Sequence, residues 1–103
     1  MQTELKRVGI NGLLVKAYGR MDLDNAVEYG STIKETIEDS NEPITELTLD
    51  FQDIIFISSF GLKVVLELYK FMQERGKMKL TGVSEKIRES FKMVGFDKFL
   101  EIE

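Results

Sequence analysis

Segments with the alternating pattern of a β-strand take turns with segments at helical spacing, and this order constrains the fold more than any other feature of the chain. The predicted strands and helices are, in chain order, strands at residues 3–10 and 13–18, a helix at 22–39, a strand at 46–51, a helix at 60–74, a strand at 78–81 and a helix at 84–94. A last apolar segment at residues 96–102 can add a final strand. Strands that alternate with helices of this length favour right-handed crossovers and a mostly parallel sheet. With 103 residues, the chain has room for one domain.

Turn and cap residues mark the ends of these segments. Asn11-Gly12 tolerates the positive φ angles of a tight turn, so the first two strands are predicted to form an antiparallel hairpin. Asp22 or Asp24 is suited to cap the first helix and Ser84 the third. Gly76 is expected to close the second helix in a left-handed conformation.

The chain has no cysteine and no histidine. Without them there is no disulfide, thiolate or imidazole chemistry and none of the usual zinc or iron ligation, so triad hydrolases and most small metalloenzymes are excluded. The net charge of −4 argues against a general grip on nucleic acid or on an anionic membrane. No apolar run reaches the roughly 20 residues of a membrane span, and the first residues lack a signal-peptide core. We therefore expect a soluble, cytoplasmic protein without a cofactor, whose partner is a protein or a small ligand.

The second predicted helix has apolar residues on two sides. One face holds Leu62, Val65, Leu66, Tyr69 and Met72. The other side holds four residues, which we name the second stripe: Phe60, Val64, Leu68 and Phe71. Either a neighbouring helix covers the second stripe, as apolar stripes usually require, or the stripe is exposed for a partner or a second copy of the chain.

A short apolar stretch at residues 54–57 leads into Ser58-Ser59 at the start of that helix. The surrounding sequence, LDFQDIIFISSFGLK, has neither the glycine and lysine spacing of a P-loop nor a dinucleotide fingerprint, and it is not a nucleophile elbow. One serine can simply cap the helix. Alternatively, the pair is a modification site, where a phosphoryl group would meet the positive end of the helix and change the surface without unfolding the domain.

Four acidic residues are candidates for a Mg²⁺ site at one end of the sheet: Asp22, Asp24, Asp50 and Asp53. The alternative is that they cap a helix and lie in solvated loops, which their separation along the chain favours.

The residues around the serine pair resemble the bacterial anti-sigma factor antagonists, whose domain is called STAS. The signature of that family runs from an aspartate at the end of a strand to Asp-Ser-Ser/Thr-Gly-Leu at the start of a helix, and residues 50–62, DFQDIIFISSFGL, follow it without gaps. Residues 19–22, GRMD, resemble the Gly-x-Leu-Asp segment of the family, and residues 93–99, MVGFDKF, its closing stretch. Ser58 stands where the family has aspartate, and Phe60 where it has the second Ser or Thr.

The resemblance implies a single STAS-type α/β domain over residues 1–103, with a mixed, mostly parallel sheet of four to five strands and three or four helices packed mainly on one side. It also implies a non-enzymatic role in partner switching, in which the chain binds an anti-sigma factor that is a serine kinase. That kinase would phosphorylate Ser59, with Ser58 as the alternative acceptor, and a serine phosphatase would reverse the step. The partner-binding residues implied in this way, directly or by position, are Met21, Asp22, Asn25, Ser58, Phe60, Gly61 and Val64.

Two other functions remain open from the sequence. One is a STAS-type interaction domain without a phosphorylation switch, which forms a weak homodimer through the second stripe or joins another regulatory complex. The other is a small-ligand or nucleotide binder, which would need a deep polar pocket.

Overall fold

A computed structural model describes residues 1–103 of the chain. Its strands are β1 (Gln2–Val8), β2 (Gly12–Met21), β3 (Glu46–Asp50), β4 (Ile54–Ile57), β5 (Lys77–Thr81) and β6 (Glu101–Ile102). Its helices are α1 (Leu23–Glu38), α2 (Ser59–Gln73) and α3 (Glu85–Met93), followed by a 3₁₀ turn at Phe96–Lys98. The predicted order of strands and helices is confirmed, and each predicted helix starts within two residues of its observed start.

All strands join one sheet in the order β1-β2-β3-β5-β6, and β4 pairs with β2 outside that path. Only the β1–β2 pair is antiparallel. The mixed, mostly parallel sheet is therefore confirmed, but it has six strands rather than four or five. The additional strand is β4, because the apolar stretch before the serine pair joins the sheet by pairing with the last three residues of β2, just beyond the end of β3.

The turn of the hairpin differs from the prediction. Val8 pairs with Gly12, so the loop consists of Gly9, Ile10 and Asn11, and the left-handed residue is Gly9 with φ of 65°. Neither Asn11 nor Gly12 has a positive φ. The carbonyl oxygen of Asn11 instead accepts the N–H group of the residue just before β3 at 2.9 Å and that of the first residue of β3 at 3.2 Å, which fixes this end of the hairpin on the sheet.

The helices pack on one face of the sheet. Along β2, Leu13, Val15 and Ala17 are buried, whereas the residues between them are half-exposed. The same alternation recurs in β3 and β5, as expected for strands with one covered face. The core lies between that face and the three helices.

Gly76 has a different role from the predicted one. Its φ is not positive, and a Cβ at this position would overlap the backbone carbonyl of Thr45. The N–H of the next residue, Lys77, donates to the same carbonyl at 2.8 Å. Glycine is therefore required for close contact between two backbone segments and not for a left-handed helix end.

Tyr29 of α1 carries the one buried side-chain polar atom without a hydrogen-bond partner, its hydroxyl oxygen. The residue is 1% exposed. Burial, with a smaller contribution from the negative charge of Asp50, raises the pKa of Tyr29 well above its ordinary value of 10.0. The side chain is therefore a core aromatic residue with a destabilising hydroxyl group.

Candidate functional site at the start of the first two helices

The serine pair lies where two parallel strands end side by side and two helices begin. The strand β2 leads into α1, and its neighbour β4 leads into α2. The backbone N–H of Ser58 donates to the carbonyl oxygen of Met21 at 2.9 Å, which ties the two strand ends together. The first turns of α1 and α2 therefore lie next to each other at one edge of the sheet.

Ser58 is the N-cap of α2. Its Oγ accepts the backbone N–H of Gly61 at 3.2 Å, and its carbonyl oxygen accepts the N–H of Leu62 at 3.0 Å. Ser58 is half-buried, and its hydroxyl oxygen is already used in the fold. A group attached to this oxygen would disturb the cap.

Ser59 is the first residue of α2, and it is exposed. Its hydroxyl group makes no hydrogen bond within the protein. The N–H groups of a first helical turn have no partner within the helix, and the helix dipole places partial positive charge there. Lys63 lies one turn further along and is exposed. The Ser59 hydroxyl is thus accessible and lies in a setting that tolerates negative charge.

Two of the predicted partner-binding residues lie inside the protein. Met21 is completely buried, and Gly61 is buried as well. A Cβ on residue 61 would lie 2.6 Å from Cγ1 of Ile57 and 3.2 Å from Cγ of Met21. These residues let α2 approach the strand ends closely, so packing explains both positions, and neither presents a side chain at the surface.

Asp22 and Asn25 fix the start of α1. The Oδ1 of Asp22 caps the helix by accepting the N–H of Asn25 at 3.4 Å. The side-chain amide of Asn25 donates to the carbonyl oxygen of Arg20 at 2.9 Å. Asp22 is exposed and Asn25 half-exposed, so both can still contact a partner from the same edge as Ser59.

Helix α1 covers most of the second stripe. Leu68 is completely buried, and Val64 and Phe71 are partly buried. Val64 packs on Gly30 of α1, where a Cβ would lie only 2.8 Å from the valine Cγ1. The prediction that a neighbouring helix covers the stripe is confirmed for these three residues, and a homodimer through the whole stripe is therefore wrong. Phe60, the remaining member, is 48% exposed.

Two further exposed apolar residues at this edge were not singled out from the sequence. Leu23 and Val27 lie one turn apart in α1 and are 47% and 57% exposed. The sequence feature that indicates an apolar surface here is their i, i+4 spacing at the start of a helix, beside charged residues. Both precede Gly30, the residue of α1 that contacts Val64, just as Phe60 precedes Val64 in α2.

The four acidic candidates do not form a metal site. Asp22 caps α1, and Asp50 accepts the N–H of Gln52 at 2.9 Å and lies 3.8 Å from the Nζ of Lys16. No group of three or more acidic side chains is close enough to hold a metal ion. Capping and solvated positions thus account for these carboxylates.

None of the helices combines the length and the hydropathy that crossing a lipid bilayer requires.

The fold was compared with solved structures. An anti-sigma factor antagonist from Mycobacterium paratuberculosis has 20% identity and a TM-score of 0.85, with 98% of this chain and 83% of that chain covered. The phosphorylated Bacillus cell fate determinant SpoIIAA has 18% identity and a TM-score of 0.76, with coverage of 99% and 91%. The murine anion transporter Slc26a9 has 13% identity and a TM-score of 0.76, over 90% of this chain but 15% of that chain.

At these identities the structural matches establish the fold. The family model for the STAS domain matches residues 3–103, which is almost the entire chain. The chain therefore belongs to the STAS domain family.

Proposed function

We propose that this STAS domain is an anti-sigma factor antagonist that binds a serine-kinase anti-sigma factor and is released when that kinase phosphorylates Ser59. The observation that carries the proposal is the exposed Ser59 hydroxyl, which is free of internal hydrogen bonds at the start of α2. The solved structures with this fold include two anti-sigma factor antagonists, one of them in phosphorylated form. A role in binding rather than catalysis, and a cytoplasmic location beside an ATP-dependent kinase, belong to the same proposal.

The position of Ser59 explains how a phosphoryl group would act as a switch. The group adds about −1.5 to −2 charges at neutral pH, and the partly positive end of α2 stabilises it without unfolding the helix. Phe60 beside it is half-exposed, so a partner that covers Phe60 would also have to desolvate the phosphate. Phosphorylation is therefore expected to weaken the complex while the domain stays folded. A serine phosphatase would then be the second partner.

Ser59 is favoured over Ser58 as the acceptor because of the capping geometry. Transfer to the Ser58 oxygen would require this half-buried atom to leave its contact with the N–H of Gly61. That contact is worth on the order of 1 kcal/mol, as N-caps generally are. The Ser59 oxygen can be modified without such a cost.

The test uses purified serine-kinase anti-sigma factors encoded in the same genome, each incubated with this protein and ATP. We expect mass spectrometry to map one phosphoryl group to Ser59, Ser59→Ala to abolish it, and Ser58→Ala to retain it. The unmodified protein should bind the kinase more tightly than the phosphorylated protein in calorimetry. Phosphate confined to other residues, or equal affinity of both forms, would contradict the proposal.

A second candidate function is an interaction domain without the switch. Two departures from the family signature favour it, because Ser58 replaces the aspartate before the acceptor and Phe60 replaces a hydroxyl residue. In that case the kinase assay would yield no phosphorylation of Ser59 while a protein partner would still bind at the same edge.

A further inference from the structure

The open end of the contact between α1 and α2 presents three apolar side chains, Leu23, Val27 and Phe60, which we name the apolar anchor. Building on the proposed function, we infer that the apolar anchor inserts into an apolar pocket of the partner protein, and that lysine or arginine side chains border that pocket on the α1 side.

The placement of the three residues follows from the packing of the two helices. The helices start at the same edge of the sheet, and Gly30 of α1 meets Val64 of α2. Val27 precedes Gly30 by three residues and Phe60 precedes Val64 by four, so each lies about one turn before the contact on its own helix. Leu23 precedes Val27 by a further turn. The apolar anchor thus continues the helix–helix contact beyond the point where the two helices cover each other.

The exposure of these side chains is costly for an isolated surface. Each is about half exposed, at 47%, 57% and 48% for Leu23, Val27 and Phe60. Half-exposed aromatic and aliphatic side chains in one patch are typical of binding surfaces, where an aromatic anchor in a pocket contributes most of the affinity.

The charges around the apolar anchor identify the complementary surface. Asp22 caps α1, Asp24 and Glu28 lie in its first two turns, and all three are exposed. Helix α1 as a whole carries four acidic residues and one lysine, so the α1 side is acidic beyond its first turns as well. A partner whose pocket is bordered by basic side chains gains attraction and orientation from this arrangement, whereas an acidic border would be repelled.

Phe60 is the residue that selects the partner. The family signature has Ser or Thr at this position, which offers a small polar group next to the acceptor instead of an aromatic ring. The substitution Phe60→Ser therefore removes the ring while keeping the residue type of the signature. Because the side chain is half-exposed, the domain should stay folded, which circular dichroism can check.

A library of random peptides displayed on phage provides a probe that does not depend on any particular kinase. The library is selected on the immobilised wild-type protein after depletion on the Phe60→Ser variant. We expect the enriched peptides to contain an aromatic or leucine residue flanked by lysine or arginine. Synthetic copies should lose roughly tenfold or more in affinity on Phe60→Ser and on Val27→Ser.

The matched control is Met93→Ser, since Met93 at the end of α3 is 87% exposed and lies outside the apolar anchor. Its affinity for the peptides should stay within about twofold of wild type, as expected for a residue outside the contact. Raising the salt concentration from about 50 to about 500 mM should weaken binding several-fold, and Asp24→Asn with Glu28→Gln should reduce that salt effect. Enrichment of acidic peptides, or affinities that Phe60→Ser leaves unchanged, would overturn the inference.

The kinase assay separates this inference from the proposed function. If the peptides behave as expected and no kinase modifies Ser59, the phosphorylation switch is wrong and the apolar anchor stands. If a kinase binds wild type and Phe60→Ser with equal affinity and phosphorylates Ser59 in both, the switch stands and the apolar anchor is wrong.

Discussion

The contact between Gly30 and Val64 offers a quantitative test of the packing that holds the starts of α1 and α2 together. Gly30→Ala changes two energies of opposite sign. Alanine favours the helix over glycine by about 1 kcal/mol. The new methyl group would lie 2.8 Å from Cγ1 of Val64, closer than side chains tolerate, and overpacking of this kind costs about 1–3 kcal/mol. The χ1 angle of a helical valine is stiff, so the clash is not relieved by a simple rotation.

A double-mutant cycle with Val64→Ala isolates the clash. Val64 is half-buried, so the single substitution should lower the free energy of unfolding by about 1 kcal/mol. In the Val64→Ala background the clash is gone, and Gly30→Ala should then stabilise the protein by about 1 kcal/mol. The expected coupling between the two positions is therefore about 1–3 kcal/mol.

The assay is urea unfolding followed by circular dichroism, with the m-value checked for two-state behaviour. The control is the same cycle with Val65→Ala in place of Val64→Ala. Val65 is completely buried, but the atoms nearest to the Gly30 Cβ position all belong to Val64. That cycle should be additive to within about 0.5 kcal/mol. Additivity in the Val64 cycle as well would refute the helix contact as described.

Tyr29, Gly76 and the serine pair can be tested with the same unfolding assay. Tyr29→Phe should stabilise the protein by about 1 kcal/mol by removing a buried hydroxyl without a partner. The pKa of Tyr29 is raised above 10.0 only in the folded state, so above pH 10 the unfolded chain loses this proton first. The free energy of unfolding of the wild type should therefore fall by about 1.4 kcal/mol per pH unit more than that of Tyr29→Phe. Equal pH slopes for the two proteins would contradict the burial of the hydroxyl group. Gly76→Ala should lower the free energy of unfolding by about 3 kcal/mol or more, because the new methyl group overlaps a backbone carbonyl. The control Gly95→Ala should lower it by about 1 kcal/mol, because Gly95 has a positive φ but open space around it. Similar losses for the two variants would show that the overlap is relieved. Ser58→Ala should lower the free energy of unfolding by about 1 kcal/mol through loss of the N-cap. Ser59→Ala should change it by less than about 0.5 kcal/mol. The reverse order would mean that Ser59, and not Ser58, caps the helix.

Local patterns in the sequence were sufficient for most of the secondary structure. The caps at Asp22 and Ser84 each rest on a side chain three residues from the N–H group it accepts, so neighbouring residues decide them. The parallel arrangement followed from the order of strands and helices alone. The turn at Gly9 and the strand β4 were missed because each depends on pairing with a distant segment, the start of β3 in one case and the end of β2 in the other.

The candidate site was likewise predicted only in part from the sequence. The motif pointed to Ser58 and Ser59 but left open which of them caps the helix, since either hydroxyl can reach an N–H of the first turn. Met21 and Gly61, which the motif placed among the partner-binding residues, are buried, because a motif does not show whether a residue lies inside the protein or on its surface. Leu23 and Val27 were overlooked because helical spacing alone does not reveal where a neighbouring helix stops covering a face.

The sequence by itself determined the order of elements, the family and the position of the serine pair, because caps, alternation and motifs act over a few neighbouring residues. Only the tertiary structure decided which atoms of that pair are free, how far α1 covers the second stripe and where apolar side chains reach the surface. Those outcomes depend on contacts such as Gly30 with Val64 and Ser58 with Met21, which join residues more than 30 positions apart and follow from packing rather than from local preference.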